Sequence, residues 1–144
     1  MRTIHATTVA LGDAAVLIRG APGSGKSDLA LRLIDGGGIL VADDQTALRL
    51  VAGQVMASPP ASIAGRMEVR GLGIVRVPFR AETPVRLVVD LLAPGTGEGV
   101  ERLPEAAFTD LCGIHLPCLR MRAFESSAPA KIRLAVRLGP ADME

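Results

Sequence analysis

The chain has no tryptophan, no tyrosine and only three phenylalanines, so aromatics make up 2% of its 144 residues. Its core must be built from Leu, Val, Ile and Ala, and the platforms on which single-stranded nucleic acid usually stacks are scarce. An excess of one charge is also missing. Sixteen Lys and Arg stand against fifteen Asp and Glu, a net +1, and the arginines are scattered. Neither nucleic acid nor a membrane surface is expected as a partner. Cys112 and Cys118 are too few and too oddly spaced for a zinc site or a disulfide framework. Both lie in apolar surroundings and are expected as buried, reduced thiols. No apolar run reaches the ~18 residues of a membrane span. The N-terminal Met1-Arg2-Thr3-Ile4-His5 lacks the apolar core of a signal peptide, so a cytoplasmic protein is expected. What is present is 49% hydrophobic, which excludes disorder and supplies one domain, residues 1–144, with a real core.

The stretch Gly20-Ala21-Pro22-Gly23-Ser24-Gly25-Lys26-Ser27 fits G-x-x-x-x-G-K-[ST], the phosphate-binding loop. Its flanks agree. Ala14 to Ile18 is a short apolar run that reads as a buried strand, and the residues after the loop carry apolar side chains at helical spacing. Strand, glycine-rich turn and helix together let backbone N–H groups and a helix N-terminus converge on phosphate oxygens. In such a loop Lys26 reaches the β- and γ-phosphates and the Ser27 hydroxyl ligates Mg²⁺. The chain has two lysines, Lys26 and Lys131, and one of them falls on the required position.

Along the chain, Thr3–Leu11 and Ala14–Ile18 read as a hairpin leading into the loop, with Gly12-Asp13 between them. A helix over Asp28–Asp35 is stopped by Gly36-Gly37-Gly38. Ile39–Ala42 is an apolar strand ending on Asp43 and Asp44. Thr46–Val51 and Gln54–Ala57 form a second hairpin around Ala52-Gly53, and a loop is marked by Ser58-Pro59-Pro60. Met67–Val77 reads as a strand interrupted by Gly71 and Gly73, and Val85–Leu92 is the strongest strand of the chain. A loop follows over Ala93–Gly99, then a short helix is expected over Pro104–Cys112. Gly113–Arg122 alternates like a strand. Ala130–Leu138 is an amphipathic terminal helix behind Pro129, closed by Gly139-Pro140, and its pattern suits docking on this core or on a neighbouring subunit. The fold class expected is α/β: a P-loop kinase core with a mixed, strand-rich sheet and few helices.

Phosphoryl transfer needs ligands for Mg²⁺ and a group to orient or deprotonate the nucleophile. Asp43-Asp44 ends an apolar strand, where open α/β sheets gather ligand-binding residues. Adjacent strand residues point to opposite faces, so the two carboxylates should differ in role, one near the metal or acting as base, the other structural. A solvated turn is the alternative. Glu68 and Arg70 would share one strand face beside Gly71 and Gly73, a ligand approach or a salt-bridged edge strand. His5 and His115 suit packed or surface positions as well as catalysis, and Arg102, after a glycine-rich loop, is either solvated or within reach of phosphates.

Taken in order, these features resemble the kinase domain of HPr kinase/phosphorylase, which phosphorylates a serine of the phosphocarrier HPr in the bacterial phosphotransferase system. The resemblance rests on His5 before the loop, on Gly20 to Ser27, on Leu40-Val41-Ala42-Asp43-Asp44, and on Met67-Glu68-Val69-Arg70-Gly71-Leu72-Gly73-Ile74-Val75. The last is similar to the family's own signature. It implies an ATP- and Mg²⁺-dependent protein-serine kinase in which Lys26 binds the transferred phosphate and Ser27 with Glu68 holds the metal. Asp44 would accept the serine proton, with Asp43 as second choice. His5 would tune the aspartate, and Arg102 would stabilise transferred charge. The family's reverse reaction, phosphate attacking phosphoserine with release of pyrophosphate, uses the same groups. The family's longer members carry an N-terminal domain that this sequence lacks, so it resembles the short form of some proteobacteria, with a nitrogen-related phosphocarrier as the expected target. The Pro-Val-Arg-Pro-Gly-Arg-Asn loop tied to dephosphorylation is replaced by Arg122-Ala123-Phe124-Glu125-Ser126-Ser127-Ala128-Pro129. The resemblance also implies a homo-oligomer, typically a hexamer.

Two other readings use the same loop: a P-loop kinase of a small metabolite, and a nucleotide-sensing regulatory module without turnover. The short chain without an arginine-rich lid weighs against the first, and intact Lys26, Ser27, Asp44 and Glu68 weigh against the second.

Overall fold

The computed structural model describes residues 1–93 and 105–138. β1 (Arg2–His5), β2 (Thr7–Leu11) and β3 (Ala14–Arg19) precede the loop, which opens directly into α1 (Lys26–Asp35). The first hairpin strand is thus split at Ala6: β1 pairs with β5 (Gln45–Val51) while β2 pairs with β3. β4 (Ile39–Ala42) returns beside β2, and β5 forms a hairpin with β6 (Gln54–Ser58). That hairpin turns on Ala52 and Gly53, with φ +51° and +78°, the paired left-handed residues of a two-residue turn.

β7 (Arg66–Val69) and β8 (Gly73–Arg76) form a separate two-stranded hairpin. The sequence suggested one interrupted strand over Met67–Val77. The chain instead reverses at Arg70–Leu72, helped by positive φ at Gly71 and Gly73. Glu68 and Arg70 therefore do not share a strand face. The helix expected over Pro104–Cys112 is also corrected: its described part contains β10 (Ala107–Leu111), antiparallel to β11 (Ile114–Met121). Cys112 and Gly113, at φ +52° and +82°, make another tight turn. From Ala107 onward, pairing with β11 overrides the helical look of the sequence.

β9 (Thr83–Leu91) is the centre of the main sheet. Along one edge it runs parallel to β3. Along the other its start pairs with β6 and its end runs parallel to β11. The sheet order β1-β5-β6-β9-β3-β2-β4, with β11 and β10 branching from β9, follows from that divided edge. Alternation along β3 and β9 supplies both cores. Val16, Ile18, Leu87 and Val89 face α1 and α2 (Ala128–Leu138), joined by Leu29, Leu33 and Ile132. Leu17 and Val88 face the other way, against Leu48, Val55 and Ala57. α2 docks on its own chain, burying Ala128, Pro129, Ile132, Ala135 and Val136.

α1 ends on a shared cap. The N–H groups of Gly36, Gly37 and Gly38 return to Arg32, Ile34 and Leu33 carbonyls. Arg133 from α2 donates to the Leu33 carbonyl at 3.1 Å, satisfying acceptors that a helix end leaves open. Gly139-Pro140 lies outside the described residues, as does most of the Ala93–Gly99 loop.

Candidate active site

β3, β9 and β11 run parallel, so their C-terminal ends lie on one edge, the place where open sheets bind ligands. The loop Gly20–Gly25 leaves β3 there. Gly23 and Gly25 have φ of +81° and +100°, a region open to glycine at little cost. The glycines of the motif therefore shape the loop, and Gly25 caps α1. The helix begins at Lys26, two residues earlier than its apolar spacing indicates, so Lys26 and Ser27 sit in its first turn, where N–H groups have no partner within the helix. Lys26 Nζ donates to the carbonyls of Gly20 at 2.7 Å and Ala21 at 3.3 Å. Ser24 is 1% exposed, and its hydroxyl has no hydrogen-bond partner among the described residues. It lies where a Cβ on Gly20 would clash with it. A buried hydroxyl left without a partner in a glycine-shaped loop suits a site built for phosphate oxygens.

Behind the loop stands Asp43, 8% exposed. One carboxylate oxygen accepts from the Ser27 hydroxyl at 2.7 Å and from Thr7 at 3.3 Å. The other accepts from the Glu68 backbone N–H at 3.0 Å. One side chain thus ties the start of α1, β2 and the β7–β8 hairpin together. The alcohol–carboxylate pair of Ser27 and Asp43 has the chemistry that P-loop proteins use to hold Mg²⁺. Glu68 reaches this cluster through its backbone, and its side chain is exposed beside it.

Asp44 has a different setting. It is exposed and adopts φ +64°, a left-handed conformation that Asp tolerates better than most residues. Its N–H donates to the Thr7 hydroxyl at 3.0 Å and its carbonyl accepts from Ala6 at 3.0 Å. The two aspartates diverge because of this backbone reversal, since β4 already ends at Ala42 and strand alternation does not separate them. His5, the last residue of β1, is exposed next to Ala6, so backbone pairing brings His5 and Asp44 to the same rim. Arg102 lies outside the described residues. His115 is stacked on Phe108 at 4.7 Å, on the β10–β11 hairpin.

A polar cluster adjoins the loop on the face away from α1. Arg19, immediately before Gly20, makes a bidentate pair with Asp90 at 2.8 and 3.0 Å and also reaches Thr109. The Cys118 thiol lies 3.2 Å from the same carboxylate. Burial pushes the Cys118 thiol up to about 11, and the Asp90 carboxylate pushes the same way. Burial alone would raise Asp90, but the hydrogen bonds from Arg19 and Cys118 hold it below the usual carboxylate range. The hydrogen bond to Asp90 raises Arg19 in turn. Sequence reading missed this cluster and missed Thr7. An Arg directly before the first loop glycine was the available signal for the former, while Thr7 had none.

The family model of the HPr Serine kinase C-terminal domain matches residues 1–136. The chain belongs to this family. Among curated relatives, the HPr kinase/phosphorylase of Clostridium tetani is 43% identical over 75 residues, 52% of this chain and 25% of that protein. The HPr kinase/phosphorylase of Bordetella petrii is 38% identical over 122 residues, 78% of this chain and 39% of that protein. The chain therefore spans a quarter to two fifths of the length of these relatives. The solved Hpr(Ser) kinase/phosphatase from Coxiella burnetii matches with a TM-score of 0.81 at 28% identity, over 95% of this chain and 89% of that one. The strand-rich mixed sheet with its P-loop is the HPr kinase fold. No helix among the described residues is long and apolar enough to cross a membrane.

Proposed function

We propose that this chain is a Mg²⁺-dependent kinase domain that transfers the γ-phosphoryl group of ATP to a serine of an HPr-like phosphocarrier protein. The observation that carries this reading is the Ser27–Asp43 hydrogen bond at 2.7 Å behind a formed phosphate loop. It joins the residues that hold metal and phosphate in P-loop enzymes, in a chain of the HPr kinase family. Ser27 and Asp43, with Glu68 beside them, are the residues that would hold Mg²⁺, which supplies charge neutralisation at the phosphate oxygens when bound.

The chain's own groups divide the remaining work. Loop N–H groups and Lys26 bind the β- and γ-phosphates, which requires Lys26 to exchange its bonds to the Gly20 and Ala21 carbonyls for phosphate oxygens. Asp43 fixes Ser27. Asp44, exposed at the rim, accepts the proton of the incoming serine hydroxyl as its oxygen bonds to phosphorus and the bond to the departing ADP breaks. His5 orients Asp44 from the neighbouring strand end, and Arg102 adds positive charge to the transferred group. In phosphorolysis, phosphate attacks the phosphorus of phosphoserine, the seryl O–P bond breaks with formation of pyrophosphate, and Asp44 returns a proton to the departing serine oxygen.

The test is incubation with Mg²⁺-ATP and the phosphocarrier proteins of the host, read by intact mass. A phosphoryl mass on one carrier, absent with Asp44→Asn while ATP binding persists, is the expected result. ATP binding with no mass gain on any carrier would sink the kinase reading in favour of a nucleotide sensor.

A further inference from the structure

The chain has three phenylalanines, and each has a distinct setting. Phe108 is stacked on His115. Phe79 lies against Gly65, where a Cβ would come within 2.9 Å of its ring. Phe124 is 64% exposed and stands at the mouth of the phosphate loop: a Cβ on Gly25 would meet its ring at 2.9 Å. Phe79 and Phe108 are less open, at 45% and 44%, so Phe124 is the phenylalanine that presents most of its ring to solvent.

The ring is nonetheless held by its neighbours in sequence. Ala123 is 2% exposed and packs on Gly25, 2.7 Å from where a Cβ would stand. Arg32 of α1 donates to the carbonyls on both sides of Phe124, those of Ala123 and Glu125. Arg32 is braced by Asp28 at 2.9 Å, and Glu125 is paired with Lys131 at 3.0 Å. One helix therefore carries Lys26 and Ser27 at its start and, through Arg32, fixes the segment that presents the aromatic ring. The spacing between phosphate site and ring is set by a rigid element.

We propose that Phe124 is the platform on which the purine base of the bound nucleotide stacks. This rests on the nucleotide reading of the loop. The phosphates sit at the end of β3, and the parallel neighbours of β3 place the end of β11, and with it Phe124, along the same sheet edge. A ligand anchored by its phosphates at Gly20–Ser27 can extend toward that ring. Stacking accepts any flat base, so ATP and GTP should bind with similar affinity through this contact.

The experiment compares ATP with inorganic tripolyphosphate by calorimetry on the full chain. Phe124→Ala should weaken ATP about tenfold and leave tripolyphosphate unchanged, while Phe124→Tyr should retain wild-type ATP affinity. Phe124→Trp installs the chain's one tryptophan, and its fluorescence should change with ATP and stay constant with tripolyphosphate. Unchanged ATP affinity in Phe124→Ala, or equal losses for both ligands, overturns the proposal while leaving the phosphate site standing. A wild-type chain that binds neither ligand overturns the nucleotide reading with it.

Discussion

Thr7 holds both aspartates through one hydroxyl, donating to the Asp43 carboxylate and accepting from the Asp44 N–H. It is fully buried, so Thr7→Val keeps the shape and leaves both partners short of a bond. We expect a loss of about 1–3 kcal/mol, read from urea midpoints, together with a larger fall in transfer rate than in ATP affinity. Asp90 gives a pH signature. Its folded value lies below its unfolded one, so its stabilisation is complete above about pH 4 and is lost as pH falls through the folded value. Wild type should exceed Asp90→Asn in melting temperature at pH 7, and the gap should close in the acid limb. Cys118, with its thiol pushed up to about 11, stays protonated near neutrality. Iodoacetamide at pH 8 should label Cys112 first and Cys118 only after unfolding.

Elements meet at glycines here. At Gly25, φ is +100° and a Cβ would come within 2.7 Å of Ala123. Gly25→Ala should therefore lower stability by about 1–3 kcal/mol and abolish ATP binding, measured by melting and calorimetry. Gly38 packs α1 onto β2: a Cβ would lie 2.8 Å from Val9 and 2.9 Å from the Leu33 carbonyl. Much of this scale was legible in the sequence. The loop, the strand before it and the helix after it are constrained by local chemistry, and the Ala52-Gly53 hairpin by its turn residues. The β10 strand was hidden because its evidence is a partner, β11, and not its own composition. The β7–β8 reversal was hidden because glycines inside a strand pattern signal either a bulge or a turn. The division of roles between Asp43 and Asp44 depends on Thr7, 36 residues away from Asp43 in sequence, and on one left-handed φ. Neither can be read from the pair itself.

Across the whole molecule, β3 and β9 belong to both cores, so the two cannot come apart separately. Leu17→Ala and Leu33→Ala lie on opposite sides of the sheet. Each should cost about 2–5 kcal/mol and shift a single urea transition without splitting it. The β3–β9 pairing also has a consequence in time. Ala15 meets Val85, about seventy residues further along the chain. At a synthesis rate of about 5–20 residues per second, β3 emerges from the ribosome roughly 4–14 s before its central partner. Through that interval the strand that carries the phosphate loop has one bare, apolar edge, open to any other extended segment. The nascent chain is then most exposed to mispairing, and a chaperone that shields extended apolar segments would be most useful to it before Val85 appears.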